Sequence, residues 1–444
     1  MGGNSAEEEA NLKSLGHQMI DIKDYEDGSL VHQMMERMRK INIPVSPSEP
    51  TVGQSPCIFK LPDRFKDKNG KSNVPQMVFI GPYYGDYMAH PHRQMQELKW
   101  QCLKYLLKNN LPDLDCYIDG IRSLEIEAKA CYSGKIDLST DEFLEMMGDQ
   151  DCEDHPLACM ERGILPKIYG DLLFLDNQIP FFVLEKLFEI SIMTFEGTDP
   201  ILSCIVVNIF SEILGIERPE DEYYSRFRKR KLLHLLHIVR LIFTLGFEPY
   251  SHRPPGFPLQ YRWRPFNTIP SISKLRRAGI KVKQREKDNF LKVKFLRGGV
   301  IEMPIIILNE LMCSFLVNSV AFEQCHNKSP KHFSVYALFL DCLVNTAGHV
   351  EYLCDHGVIE NYFETDVAAS FINDLGKGLT FNWDYLEFFW LCDSVKEYYQ
   401  NRLHRHWTSF KGEYFDKPWL CISVFGGVVL LVLSFFADLL HHPS

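Results

Sequence analysis

The sequence is poor in the features that announce chemistry. None of its 13 cysteines forms a Cys-x-x-Cys pair, so neither a zinc knuckle nor a thioredoxin-type redox motif is in view. It contains no His-Glu-x-x-His, no Gly-x-Ser-x-Gly and no kinase signature. Asn69-Gly70-Lys71-Ser72 resembles the end of a phosphate-binding loop. Phe65 stands where the first glycine of that loop must be, however, and no helical pattern follows. An excess of positive charge is also missing: 48 Lys and Arg face 58 Asp and Glu, a net charge of −10. That balance argues against nucleic acid as the main partner, because phosphate binding needs clustered cations. The run Arg226 to Lys231 reads as a solvated loop or helix start. No internal repeat or low-complexity tract occurs. Met1 to Lys13 lacks an apolar stretch, which predicts no secretory signal, and Ala6 breaks the myristoylation pattern.

What is present is an ordinary globular balance: 444 residues, 45% apolar and 24% charged, long enough to bury a sizeable core. Cys102, Cys204, Cys313, Cys342 and Cys392 sit inside apolar runs, as reduced cysteines do, and this predicts a reducing compartment for the body. The clearest signal is residues 418–440. From Trp419 to Ala437 no residue is charged. As a helix these 19 residues would span about 28 Å, close to the hydrocarbon core of a bilayer. Trp419 lies at the boundary, where amphipathic rings settle. Gly426 and Gly427 would let a second helix approach closely, which would give a homo-oligomer through the membrane. Arg402, Arg405, Lys411 and Lys417 precede the stretch and no Lys or Arg follows it. The positive-inside rule therefore predicts a C-terminally anchored single span with a cytosolic body.

Along the chain, residues 1–50 read as a loosely ordered lead-in with a short helix over 29–40. Residues 51–415 form the main helical domain. Helical spacing predicts helices over 94–109, 139–147, 199–214, 231–246, 308–325, 332–346, 364–375 and 383–409. Five prolines make 251–270 a long surface loop. Residues 291–307 predict a hairpin turning at Arg297-Gly298-Gly299, with Pro304 placing the second strand at an edge or a bulge. The predicted class is mainly α-helical with a minor β-hairpin component: a large helical body plus one transmembrane helix.

Three polar clusters compete for a chemical reading. Cys152, His155 and Cys159 have zinc-like spacing but no evident fourth ligand. Glu323, Gln324, Cys325 and His326 crowd together, yet neighbours on a helix point apart, so a nucleophile and base are not assembled there. The third lies in the apolar stretch Asp171 to Glu189, which is interrupted by Asp176, Asn177, Gln178 and Pro180. Pro180 suits a first helical turn, and Asn177 and Gln178 can pair the backbone groups that a sharp corner strands. A structural corner is the simpler reading of that cluster. No catalytic residue, metal site or cofactor is assigned.

The same segments carry a resemblance. "FIGPYY" (79–84), "EAKACYSGKIDLSTDEFLEMM" (127–147), "DLLFLDNQIPFFVLEKLF" (171–188), "IPSISKLRRAGIKVK" (269–283), "VNSVAFEQC" (317–325) and "YFDKPWLCIS" (414–423) occur in the order seen in the plant family called domain of unknown function 247. Residues 148–163 depart from that pattern, which normally runs through Asp-Gly-Cys into an apolar element. The resemblance implies a plant protein with a helical body and a C-terminal membrane anchor, without established enzymatic activity or cofactor. Some members are encoded at grass self-incompatibility loci, as pollen-side recognition determinants acting with small secreted proteins. The span and the absence of a complete catalytic constellation give the expected function, a non-enzymatic recognition or signalling protein anchored in the plasma membrane and acting with a protein partner. The resemblance implies a pollen-side self-incompatibility determinant as its specific form. A membrane-tethered enzyme with a site built from distant residues, and a structural membrane adaptor, are the alternatives.

Overall fold

The computed structural model describes residues 55–66, 74–84, 114–134, 136, 165–192, 201–216, 224–225, 227, 230–244, 247, 269–285, 289–380, 386–400, 422 and 425–434. The chain divides into Met1–Gln54 and Ser55–Ser444, and every described residue belongs to the second unit. The expected helices over 29–40, 94–109 and 139–147, residues 251–268 of the proline-rich loop and the 148–163 departure lie outside the described residues.

The body is mainly helical with two small sheets. The helices are α1 (Leu114–Arg122), α2 (Glu125–Ala130), α3 (Leu165–Asp171), α4 (Phe181–Ile192), α5 (Leu202–Ile213), α6 (Leu235–Thr244) and α7 (Ile272–Arg277). After α7 come strands β1 (Lys281–Arg285), β2 (Lys294–Leu296), β3 (Val300–Pro304) and β4 (Ile306–Leu308). Then follow α8 (Glu310–Cys325), α9 (His332–Leu343), α10 (Ala347–Asp355), β5 (Ile359–Asn361), α11 (Thr365–Gly376) and α12 (Leu386–Gln400). A last apolar helix, α13, covers Phe425–Ser434.

Helix α8 is the centre of the fold. Asn309 caps its start by accepting from Met312 N–H at 2.9 Å. Met312, Phe315, Leu316, Ser319, Val320 and Phe322 are all buried, so it is apolar nearly all round, as an enclosed helix must be. It packs against α3, α6, α9 and β4. Around it, α5 lies on α6, α1 on α4, and α11 on both α9 and α10. Phe243, Phe290, Phe315 and Phe333 interlock at centroid distances of 4.9 to 6.2 Å, within the range where aromatic pairs attract.

The expected helices over 199–214, 231–246, 308–325 and 364–375 appear as α5, α6, α8 and α11, with ends shifted by no more than four residues. The expected helix over 332–346 stops at Leu343, because Val344 is extended (φ −108°, ψ 106°). The chain then turns by 105° into α10, a helix that the helical spacing does not predict. The 291–307 hairpin is present as antiparallel β2 and β3. Gly299 ends its turn at φ 72°, and its bare Cα lies against the ring of Tyr398. Pro304 is not on an edge strand. Strand β3 is central, flanked by parallel β1 and antiparallel β2. Pro304 is tolerated there because β2 pairs only as far as Glu302, so no partner on that side needs its missing N–H. A second, two-stranded parallel sheet joins β4 to β5.

Among the described residues no single helix is long and apolar enough to cross a membrane. The bent pair α9–α10 is apolar enough in sum, but its Phe333, Phe339, Leu343 and Leu353 are buried in the core.

Candidate functional site

The polar corner after α3 is buried and densely hydrogen-bonded, with Asp176 Oδ1 the one buried side-chain atom there that lacks a partner among the described residues. Asp171, the last residue of α3, accepts from three backbone N–H groups of one passing strand of chain: Gln76 at 2.9 Å, Met77 at 2.6 Å and Val78 at 2.9 Å. Asn177 uses both ends of its amide. Its Oδ1 accepts from Ile80 N–H (2.7 Å) and Gly81 N–H (3.1 Å), and its Nδ2 donates to the carbonyls of Val78 (2.7 Å) and Asp171 (2.9 Å). Gln178 donates to the carbonyls of Leu172 (2.8 Å) and Phe174 (2.7 Å), and accepts from Leu236 N–H at 3.0 Å, supplying a donor in the first turn of α6 with a partner. Asn318 of α8 closes the corner by accepting from Leu175 N–H at 2.8 Å. Pro180 sits immediately before α4, where its carbonyl accepts from Val183 N–H at 3.0 Å. Asp176 is also buried. Burial pushes its carboxyl up, while the Tyr84 hydroxyl and Leu61 N–H pull it back.

This arrangement does one thing chemically: it satisfies stranded backbone groups at a chain reversal. Leaving each such group unpaired would cost about 1–3 kcal/mol. Asn177 alone fills four hydrogen-bond positions, the capacity of a primary amide.

The second cluster surrounds Glu323, which is 0% exposed. Arg240 of α6 donates to its Oε1 at 2.6 Å. Phe333 N–H (3.1 Å) and Ser334 N–H (2.7 Å), in the first turn of α9, complete the shell. The carboxylate thus serves as an ion-pair partner and as the cap of a helix start. Burial drives its carboxyl up from the ordinary range, and Arg240 with the two N–H groups opposes that. Arg240 also lies over the rings of Phe322 (4.6 Å) and Phe333 (5.3 Å) and donates to Ser329 Oγ at 3.3 Å.

Histidines near this cation are held neutral. His234 precedes α6 and caps it, its Nδ1 accepting from His237 N–H at 3.3 Å. Burial, then the Arg240 charge, pushes its imidazole down to about 3. Burial lowers His237 in the same way, and its Nδ1 accepts from Leu233 N–H at 3.3 Å. His326 stacks on Phe322 at 5.1 Å and is likewise lowered.

Of the expected motif residues, Asn177, Gln178 and Pro180 share the corner, and Glu323 sits in the ion-pair cluster. Gln324 faces elsewhere, pairing with Thr380 through both amide ends: Oε1 accepts from Thr380 N–H (2.9 Å) and hydroxyl (2.8 Å), and Nε2 donates to Thr380 O (3.1 Å). Cys325 ends α8, with burial raising its thiol. The partners Asp171, Asn318 and Arg240 were not singled out in the sequence; each is an isolated polar residue in an apolar segment, which is the signal that marks them. Cys152, His155 and Cys159 lie outside the described residues, and among the described ones no three His, Cys, Asp or Glu gather around a metal position. The nine described cysteines are unbridged.

Helix α13 is exposed along its length: Phe425, Leu430 and Leu431 are 72%, 68% and 73% exposed. Among the described residues, a Cβ on Gly426 or Gly427 would meet nothing within 4 Å. Trp419 and Ala437 lie outside the described residues.

Residues 58–433 match the model of a family described as plant protein of unknown function. Two Arabidopsis thaliana proteins are similar over most of their length. UPF0481 protein At3g47200 is 28% identical over 426 residues, covering 88% of this chain and 87% of that protein. Putative UPF0481 protein At3g02645 is 19% identical over 475 residues, covering 85% and 88%. No solved structure shows significant similarity.

Proposed function

The chain belongs to the DUF247 family of plant proteins, and from that premise we propose that it is a non-enzymatic, membrane-anchored recognition or signalling protein. The observation that carries this reading is helix α13. It presents Phe425, Leu430 and Leu431 outward, with no charge anywhere between Trp419 and Ala437. Leaving such side chains in water forgoes about 1.5–3 kcal/mol each. A bilayer supplies the missing cover, and the uncharged stretch has the length to cross it. The non-enzymatic half of the reading is supported by how the polar clusters are used. Asp171, Asn177, Gln178 and Glu323 hold backbone groups and one buried cation together.

In this reading the body is cytosolic and the anchor lies in the plasma membrane. The specific role, pollen-side self-incompatibility, requires that the body meet a small secreted protein. A cytosolic body and an extracellular ligand are incompatible, so topology is the decisive measurement. The N-terminus is tagged, sealed vesicles of known orientation are prepared, and protease is added outside. We expect the tag and body to be digested only when the cytosolic face is outward. Digestion only from the other face would overturn the cytosolic assignment and favour a surface receptor. Release of the protein by alkaline carbonate would overturn the anchor itself.

A further inference from the structure

The chain is acidic overall, yet residues 269–299 hold ten Lys or Arg against two Asp or Glu. The three-stranded sheet places three of these cations on one face. Val282 of β1 and Ile301 and Met303 of β3 are buried; of the residues alternating with them, Lys281 and Lys283 are exposed and Val300 and Glu302 half-buried. Across the strands, Lys283 aligns with Glu302 and Glu302 with Lys294. One step along, Lys281 aligns with Val300 and Val300 with Leu296. Lys281, Lys283 and Lys294 are exposed and, among the described residues, none is ion-paired. Glu302 is the one acidic residue among these six, and Leu296, 41% exposed, stands beside the cations. Lysines interleaved with an exposed apolar side chain suit an anionic bilayer surface, where ammonium groups meet phosphates and the apolar tip enters the boundary.

A second observation relates this sheet to the chain's path toward α13. Phe295, on the inner side of β2, packs edge-on against Tyr398 of α12 at 5.8 Å. Helix α12 is the last element described before α13. The 24 residues between Gln400 and Phe425 reach at most about 80 Å when extended. The sheet is therefore braced on the helix from which the chain leaves for the apolar segment.

We propose that the outer face of the three-stranded sheet, through Lys281, Lys283 and Lys294, docks the body onto anionic lipid headgroups of the membrane that α13 enters. This rests on the membrane-anchored reading.

The test uses the full chain mixed with vesicles of neutral phosphatidylcholine, or of phosphatidylcholine with phosphatidylserine. Flotation reports the anchor. A photo-cross-linking amino acid at Leu296 reports the sheet. The expected result is flotation on both vesicle types, with lipid cross-linking at position 296 only on anionic ones and suppressed by high salt. Replacing all three lysines by Glu should lower the cross-link about 100-fold without changing flotation. Replacing them by Arg should preserve it, which separates loss of charge from loss of fold. Flotation on both vesicle types with cross-linking absent, or indifferent to lipid charge, overturns the docking face and leaves the anchor standing. Flotation confined to anionic vesicles and reversed by salt overturns the anchor and keeps the docking face. Absence of flotation on either overturns both. A cross-link into protein instead of lipid overturns the lipid assignment and gives the face to a protein partner.

Discussion

Asn177 and Gly81 meet at backbone distance. The Asn177 Oδ1 accepts from Gly81 N–H at 3.1 Å, and a Cβ placed on Gly81 would sit 3.1 Å from Asn177 Cα. The same Cβ would lie 2.9 Å from the Asp176 carbonyl oxygen and 3.0 Å from Gln178 N. All three neighbours are main-chain atoms, which cannot rotate away. Gly81→Ala should therefore destabilise the body by about 1–3 kcal/mol, with the corner pushed apart. Asn177→Ala should cost at least ~3 kcal/mol, since it strands two N–H donors and two carbonyls. Denaturant midpoints of the two variants check both values. A Gly81→Ala protein as stable as the parent would mean the two segments are not in contact.

That corner also shows what the sequence made legible. Asp176-Asn177-Gln178-Pro180 stood out because polar residues are costly inside an apolar run, and the need to pair backbone groups gives them a role without further information. Helices α5, α6, α8 and α11 were legible for the same local reason, a repeat of apolar residues at helical spacing. What could not be read was long-range. Gly81 lies 96 residues from Asn177, and Arg240 lies 83 from Glu323. No periodicity encodes such pairings. The parallel pairing of β1 with β3 was missed because β1 reads Lys-Val-Lys-Gln-Arg, with one apolar residue in five. The central place of Pro304 depends on how far β2 extends, which only the register reveals.

The Arg240–Glu323 pair invites a double-mutant cycle. Both groups are buried, so removing one strands the other. Glu323→Leu and Arg240→Met should each cost about 3–5 kcal/mol. The double variant should lose less than the sum, by at least ~1 kcal/mol, because no lone charge is left. Some loss should persist, since Phe333 N–H and Ser334 N–H would lack their acceptor. Strictly additive free energies from urea titrations would show that the ion pair contributes nothing beyond its parts.

His234 gives the protein a pH signature of definite sign. Its folded pKa, about 3, lies below the ordinary value of 6.5, so the unfolded chain binds the proton first. Stability should be complete above about pH 6.5 and fall as the pH drops from there toward 3, this residue alone adding about 1.4 kcal/mol per pH unit. His237 and His326 are lowered as well and act in the same direction. Glu323, raised by burial, acts oppositely, losing stability as the pH rises from 4.5 through its folded value. His234→Asn keeps an acceptor for His237 N–H but cannot titrate. Its stability curve between pH 6 and pH 4 should be shallower than that of the parent by about 1.4 kcal/mol per pH unit. Parallel curves would show that His234 is charged in the folded state.

Helix α13 yields a prediction that separates anchoring from assembly. Among the described residues, nothing lies within 4 Å of the positions a Cβ would take on Gly426 and Gly427. Two adjacent glycines leave a local notch on an otherwise bulky helix, and in lipid small residues at a contact let backbones approach closely. If the protein self-associates through this helix, Gly426→Leu together with Gly427→Leu should abolish energy transfer between differently labelled copies in a bilayer. The added leucines make the segment more apolar, so membrane insertion should be retained. Unchanged energy transfer in the double variant would remove the helix from the interface and move the contact to the body. Loss of energy transfer with insertion intact would assign assembly to the helix face that carries the two glycines.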